Sequence, residues 1–209
     1  MEYFEIVDVL AREVLTASGS PTVEAEVTLD DGTVGRASVP ADMLHAAEPG
    51  IAVENVNIEL AEALTAMNAL DQAAVDRLML EIDGTADASR LGANAVMACS
   101  IACAKAAALS SGLSLYGYIG GINAKRIPEL EEEPGSSLYM TAYATLTQYL
   151  DAIADLRRTG RQVSLCAGED ESLDSVIADV AVAVNADALC TSCTAVCNEL
   201  TRIQEALEE

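Results

Sequence analysis

The chain has 209 residues, of which 51% are hydrophobic, and its 34 Asp and Glu against 11 Lys and Arg give a net charge of -23 at pH 7. This composition excludes a disordered chain, and the negative charge disfavours binding to nucleic acid and to anionic membrane surfaces. The N-terminus lacks a basic segment followed by an apolar one, and no stretch approaches the ~18 uninterrupted apolar residues of a membrane span. We therefore expect a soluble, cytoplasmic protein.

The first 123 residues change from a strand pattern to a helix pattern. Alternating apolar residues, separated by turn residues at 19–21 and 31–32, predict three strands in an antiparallel meander over residues 6–39. From Ile51 to Ile82 the apolar residues recur with helical spacing, and Gly84 follows as a helix terminator. Residues 91–109 are Ala-rich and apolar on all sides, which predicts a buried helix. Residues 1–123 are thus predicted to form an α+β domain.

Residues 124–137 are rich in proline, glycine and charge, which is typical of a linker. Beyond it, in residues 138–209, strand and helix patterns alternate. Strands are predicted near 138–143, 162–166 and 188–190, and helices over 147–158, 173–184 and 194–207. Three successive βα units favour parallel strands joined by right-handed crossovers.

Four of the six cysteines lie close to the C-terminal strands and helix: Cys166, Cys190, Cys193 and Cys197. Neighbouring ends of parallel strands lie ~5 Å apart, so Cys166 and Cys190 are expected to meet, and Cys193 and Cys197 share one side of a helical turn. Four thiolates at one point would suit Zn²⁺ or an iron–sulfur cluster. The alternative interpretation is that these cysteines are small apolar residues in a tightly packed helix pair.

Several segments resemble the enolase family, and they occur in the family's order. They are Ala11–Leu15 followed by Gly19–Glu24, Val53–Asn57, Leu70–Ala74, Asp83–Thr85, Leu91–Ala95 with Ala104–Ala107, and Ile177–Ala186. The resemblance implies an enolase-like capping domain over residues 1–123, in which an antiparallel meander precedes helices. It also implies that residues 138–209 are an α/β remnant of a TIM barrel, incomplete because a whole barrel needs ~250 residues.

The resemblance also implies where the family's catalytic groups would lie. The general-base lysine corresponds to Tyr139, the second active-site lysine to Cys190, and the Ser-His-Arg-Ser strand end to Ser164-Leu165-Cys166-Ala167. The mobile lid corresponds to residues 41–46, which lack its glycines. The acidic ligands of the family's magnesium have no counterpart, so magnesium is not expected and no catalytic or substrate-binding residue is assigned.

These expectations lead to a functional hypothesis of a non-catalytic, enolase-like protein that acts through protein contacts. Its expected partners are a second copy of the chain or a full-length enolase, because an incomplete barrel leaves sheet edges to be covered. The alternative hypothesis is a cysteine-ligated metal or redox protein with the four-cysteine set as its site. Residual dehydration of 2-phosphoglycerate is the least expected function, because removing the base and the metal ligands removes the means of stabilising the enolate.

Overall fold

A computed structural model describes residues 3–131 and 137–208. The N-terminal part begins with a three-stranded antiparallel sheet in the order β1-β2-β3. Its strands are β1 (Ile6–Leu15), β2 (Pro21–Leu29) and β3 (Val34–Ser38). Alternate β2 residues from Val23 to Leu29 are buried on one face, as period-two alternation requires. The predicted meander is confirmed.

Five helices follow the meander: α1 (Pro49–Asn55), α2 (Ala61–Leu64), α3 (Gln72–Asp83), α4 (Ala93–Ser110) and α5 (Leu115–Gly120). A π-helical turn at Val56–Leu60 joins α1 to α2, and a 3₁₀ turn at Gly121–Asn123 follows α5. Gly84 ends α3 in the left-handed conformation, as predicted.

Helix α4 lies at the centre of the N-terminal part and packs against β2 and β3. Gly35 of β3 permits a very close approach, since a Cβ there would lie 2.1 Å from the carbonyl oxygen of Ala102. Among the described residues, α4 is the one helix whose length and composition could span a membrane, but 83% of it is buried inside the protein. It is the core helix that its all-round apolarity predicts.

The C-terminal part contains a parallel four-stranded sheet in the order β4-β7-β6-β5. Its strands are β4 (Glu129–Glu131), β5 (Leu138–Tyr139), β6 (Ser164–Cys166) and β7 (Ala188–Cys190). Its helices are α6 (Leu146–Arg158), α7 (Val176–Ala183) and α8 (Thr194–Glu208). Such a sheet with helices is consistent with part of an α/β barrel, and the three predicted βα units are present.

The structure corrects two sequence-based boundaries. Residues 129–131 of the predicted linker form β4, which pairs with β7, while residues 132–136 lie outside the described residues. The linker prediction failed here because charge dominates this short edge strand, and only Leu130 carries an apolar side chain. The first predicted βα strand ends at Tyr139, where a 3₁₀ turn over Met140–Ala142 begins.

One contiguous hydrophobic core runs through both parts of the chain. At Gly120 in α5, a Cβ would lie 2.2 Å from the carbonyl oxygen of Ala183 in α7, so the two helices are in backbone contact. Polar links add to this packing: Asp76 of α3 accepts a hydrogen bond from the backbone N–H of Thr147, at 3.0 Å, in the first turn of α6. This junction places the carboxyl ends of β5, β6 and β7 beside the loops of the antiparallel meander.

Candidate functional site at the carboxyl end of the parallel sheet

A row of side chains crosses the parallel sheet at the carboxyl ends of its strands. Tyr139 is in register with Cys166, Cys166 with Cys190, and Cys190 with Glu131. In-register residues of parallel strands point to the same face, and adjacent strands lie ~4.8 Å apart. The row therefore places two thiols side by side, flanked by a phenol and a carboxylate, as the sequence predicted for Cys166 and Cys190.

The two thiols differ in their surroundings. Cys166 is buried, and its Sγ donates a hydrogen bond to the carbonyl oxygen of Gly168 at 3.8 Å. Burial, and next the neighbouring Cys190, raise the pKa of Cys166 to about 12. Cys190 is half-buried and is linked to Cys166 by a side-chain hydrogen bond. Cys166 is therefore a neutral thiol at physiological pH, and Cys190 is the member of the pair that solvent reaches.

A buried carboxylate closes the site between the loops that follow β6 and β7. Glu171 is 7% exposed and accepts hydrogen bonds from Thr191 Oγ1 at 2.7 Å and from the backbone N–H of Ser192 at 2.9 Å. These contacts hold the β6 loop against the start of the connection to α8. Both hydrogen bonds are made by groups of the protein itself, so the Glu171 carboxylate has a structural role.

The N-terminal part holds the same β6 loop from the other side. Asp42 accepts hydrogen bonds from the backbone N–H groups of Glu169 at 2.8 Å and Asp170 at 3.2 Å, and Ser18 Oγ donates to Asp170 at 2.8 Å. Gly168 permits this contact, because a Cβ there would lie 2.6 Å from the Asp42 carboxylate. Asp42 thus binds the segment after β3 to the β6 loop.

These groups surround a cavity of about 430 Å³. Its lining residues are Tyr139, Cys166, Gly168, Glu169, Glu171, Cys190, Thr191 and Ser192. Among the described residues, the lining has two carboxylates and lacks Lys, Arg and His, so its potential disfavours an anionic ligand. Burial, and then the two thiols, also raise the pKa of Tyr139, which keeps its phenol neutral.

The predicted four-cysteine metal site is only half assembled. The structure brings Cys166 and Cys190 together, but Cys193 Sγ donates to the carbonyl oxygen of Ser172 at 3.5 Å, and Cys197 lies half-buried on α8. Within residues 3–131 and 137–208, no three His, Cys, Asp or Glu side chains are grouped to hold a metal ion. The helical turn after β7 directs Cys193 into its own packing site, which strand spacing alone does not reveal.

The sequence analysis did not identify a cluster of charged groups around α7, formed by Lys105, Asp174 and Asp179. Lys105 Nζ lies 2.6 and 2.7 Å from the two carboxylate oxygens of Asp174, which precedes α7. Asp179 in α7 is 8% exposed and accepts a hydrogen bond from the backbone N–H of Tyr116 at 3.2 Å. A detectable signal existed, because Lys105 is the one charged residue in a helix that is mostly apolar, and a buried charge requires a partner.

Part of the chain matches a known protein family. Residues 43–119 match the enolase N-terminal domain. The matched segment runs from the loop after β3 through α1–α4 into α5, so it includes Lys105 and excludes the parallel sheet with its cysteine pair.

Proposed function

We propose that this chain, which is related to the enolase family through residues 43–119, is a non-catalytic relative that acts through protein contacts. The observation that carries the proposal is the row of Tyr139, Cys166 and Cys190 at the strand ends. In α/β barrels this is the edge where catalytic groups project from the strands. Here the row has a phenol and two thiols, where the resemblance implies two lysines.

The chemistry of the family explains why this substitution supports the proposal. Removing a proton next to a carboxylate requires a base with a tuned pKa and positive charge to stabilise the enolate. A buried thiol with a pKa of about 12 and a phenol with a raised pKa cannot serve as that base at neutral pH. Glu171 is engaged with Thr191 and Ser192, and its charge opposes a phosphorylated acid.

The first prediction is that the purified protein does not dehydrate 2-phosphoglycerate above background in the presence of Mg²⁺. Absorbance of the enol product is the measurement, with an authentic enolase under the same conditions as the positive control. Glu171→Gln is the matched variant, because it alters the one buried carboxylate that lines the cavity. Turnover that co-elutes with the protein and falls in Glu171→Gln would overturn the proposal, whereas equal traces in both preparations indicate a contaminant.

The proposed contact surface is the β4 side of the parallel sheet. Glu129, Leu130 and Glu131 are all exposed, and within the described part of the chain β4 pairs only with β7. Arg126 and Arg161 line a groove of about 430 Å³ beside these glutamates. A third cation lies close to these two, since Arg157 donates to the carbonyl oxygen of Asn185, whose side chain accepts from the backbone N–H of Arg126.

This concentration of cations favours a second copy of the chain as the partner. Two copies with a charge of -23 each repel one another, so their contact requires a surface where the charge is locally compensated. A two-fold contact at β4 would set Arg126 and Arg161 of each copy against Glu129 and Glu131 of the other, and would cover an edge strand. A full-length enolase is the alternative partner.

The second prediction is that Arg161→Glu converts a dimer into a monomer. The added negative charge faces the glutamates of the second copy, and light scattering after size exclusion measures the mass. Arg77→Glu is the matched control, because Arg77 is exposed on α3 and makes only a long contact of 3.9 Å with Glu81. A wild-type monomer at high protein concentration, or equal dissociation in both variants, would contradict the β4 contact; a complex formed only after mixing with an enolase would identify the alternative partner.

A further inference from the structure

The cysteine pair has a geometry that suits reversible covalent chemistry. Cys166 and Cys190 are in-register partners on adjacent parallel strands and are joined by a side-chain hydrogen bond. The Cα atoms of disulfides are usually 4.4–6.8 Å apart, and the spacing of adjacent strands, ~4.8 Å, falls in that range. Both sulfur atoms point to the same face, so a bond between them needs rotation of the side chains only.

The two cysteines differ in solvent exposure, and this difference predicts which one reacts first. Cys190 is half-buried and lines the cavity, so a reagent in the cavity reaches its sulfur. Cys166 also borders the cavity but is only 4% exposed, with Gly168 as its hydrogen-bond acceptor. An accessible attacking thiol next to a buried resolving thiol is the arrangement of a dithiol exchange site.

We propose that Cys166 and Cys190 form a redox-active dithiol that small disulfides without negative charge oxidise to an intrachain disulfide. The Cys190 thiol loses its proton, and its sulfur attacks one sulfur of the small disulfide; that disulfide bond breaks, and the first small thiol leaves and takes up a proton. Cys166 then loses its proton and attacks the Cys190 sulfur of the mixed disulfide, which releases the second small thiol. Two protein thiols are oxidised, and one small disulfide is reduced to two thiols.

The charge of the cavity selects the reagent. Glu169 and Glu171 line it, and within the part of the chain that the structure describes no cationic side chain does. An anionic disulfide is therefore repelled as it approaches Cys190, whereas a neutral or cationic one is not. This inference does not depend on the absence of dehydratase activity or on the β4 contact.

The test treats the folded, reduced protein with bis(hydroxyethyl) disulfide and follows its intact mass. We expect the loss of two thiol groups of the six, with no small thiol retained, and recovery of both on reduction. The positively charged cystamine is expected to react at least as fast, and the doubly negative dithiodipropionate about 10-fold more slowly at low salt. No reaction of the folded protein, or a mixed disulfide that persists in the wild type, would overturn the proposal.

Cysteine variants locate the bond. No Lys or Arg lies between Arg161 and Arg202, so trypsin leaves four cysteines on one peptide, and cleavage before aspartate is needed to separate Cys166 from the others. We expect Cys190→Ser to abolish the disulfide, Cys166→Ser to retain a mixed disulfide at Cys190, and the control Cys197→Ser to form the bond normally. A bond that survives in Cys190→Ser, or that is lost in folded Cys197→Ser, would show that other cysteines react. If Cys166→Ser fails to fold, the comparison of Cys190→Ser with Cys197→Ser still decides the result.

Discussion

Replacing Lys105 with methionine is expected to lower the free energy of unfolding by about 2–4 kcal/mol, because it leaves the buried Asp174 carboxylate without its counter-charge. The side chain of Asp174 is 7% exposed, and that of Lys105 is 21% exposed. The carboxylate also accepts hydrogen bonds from the backbone N–H groups of Ser38 at 3.0 Å and Val176 at 2.9 Å. Loss of the cation therefore weakens a point at which β3, α4 and α7 meet.

Urea unfolding followed by circular dichroism measures this effect. Asp174→Asn alone is expected to cost less, because the partly exposed Lys105 ammonium can reach water. The double variant Lys105→Met with Asp174→Asn is expected to be more stable than Lys105→Met, since the uncompensated charge is removed. Arg77→Met, which alters an exposed cation, is the control. Equal losses in Lys105→Met and Arg77→Met would contradict the assignment of Lys105–Asp174 as a buried ion pair.

Asp179→Asn is expected to stabilise the protein above about pH 7 and to have little effect near pH 4. Burial is the largest cause that raises the pKa of Asp179 to about 7; Glu199 and Asp174 raise it further, and Lys105 and the Tyr116 N–H lower it. The unfolded chain ionises this carboxyl near pH 3.8. Between these two values the unfolded state loses its proton first, so the contribution to stability that is present below about pH 4 is lost as the pH rises to about 7.

The magnitude follows from the same two values. The difference between 3.8 and about 7 corresponds to about 4 kcal/mol, and we expect about 2–4 kcal/mol, because burial of this group is incomplete. The measurement is the difference in unfolding free energy between wild type and Asp179→Asn, taken at several pH values. The asparagine oxygen can still accept from Tyr116, so packing is conserved. Asp151→Asn, on the exposed side of α6, is the control, and a wild-type-to-variant difference independent of pH would contradict the assignment.

The order and type of most elements could be predicted because they follow from local periodicity. Alternation in residues 23–29, helical spacing after Ile51 and the Ala-rich, largely apolar composition of 91–109 each correspond to an observed element. The short strand at 129–131 could not be predicted in this way. It is held by backbone hydrogen bonds to β7, and its exposed, charged side chains carry no alternation.

The candidate site, too, could be predicted only in part from the sequence. The adjacency of Cys166 and Cys190 follows from two consecutive parallel strands, so their spacing in the sequence was sufficient to predict it. The positions of Cys193 and Cys197 depend on the path of the turn into α8, and that path directs Cys193 to Ser172. The predicted four-cysteine site is therefore only half assembled, although each of its residues lies on or beside the predicted element.

By itself, the amino-acid sequence determined the element types, the order of the two parts, the strongly acidic surface and the pairing of two thiols at neighbouring strand ends. Each of these depends on spacing along the chain or on composition. Only the tertiary structure decided that Lys105 meets Asp174, that Asp42 binds the β6 loop, that Asp179 is buried beside Glu199, and that Cys166 is more deeply buried than Cys190. These features join residues far apart in the sequence, and their energetics depend on burial and on distance between charges, which no local pattern encodes.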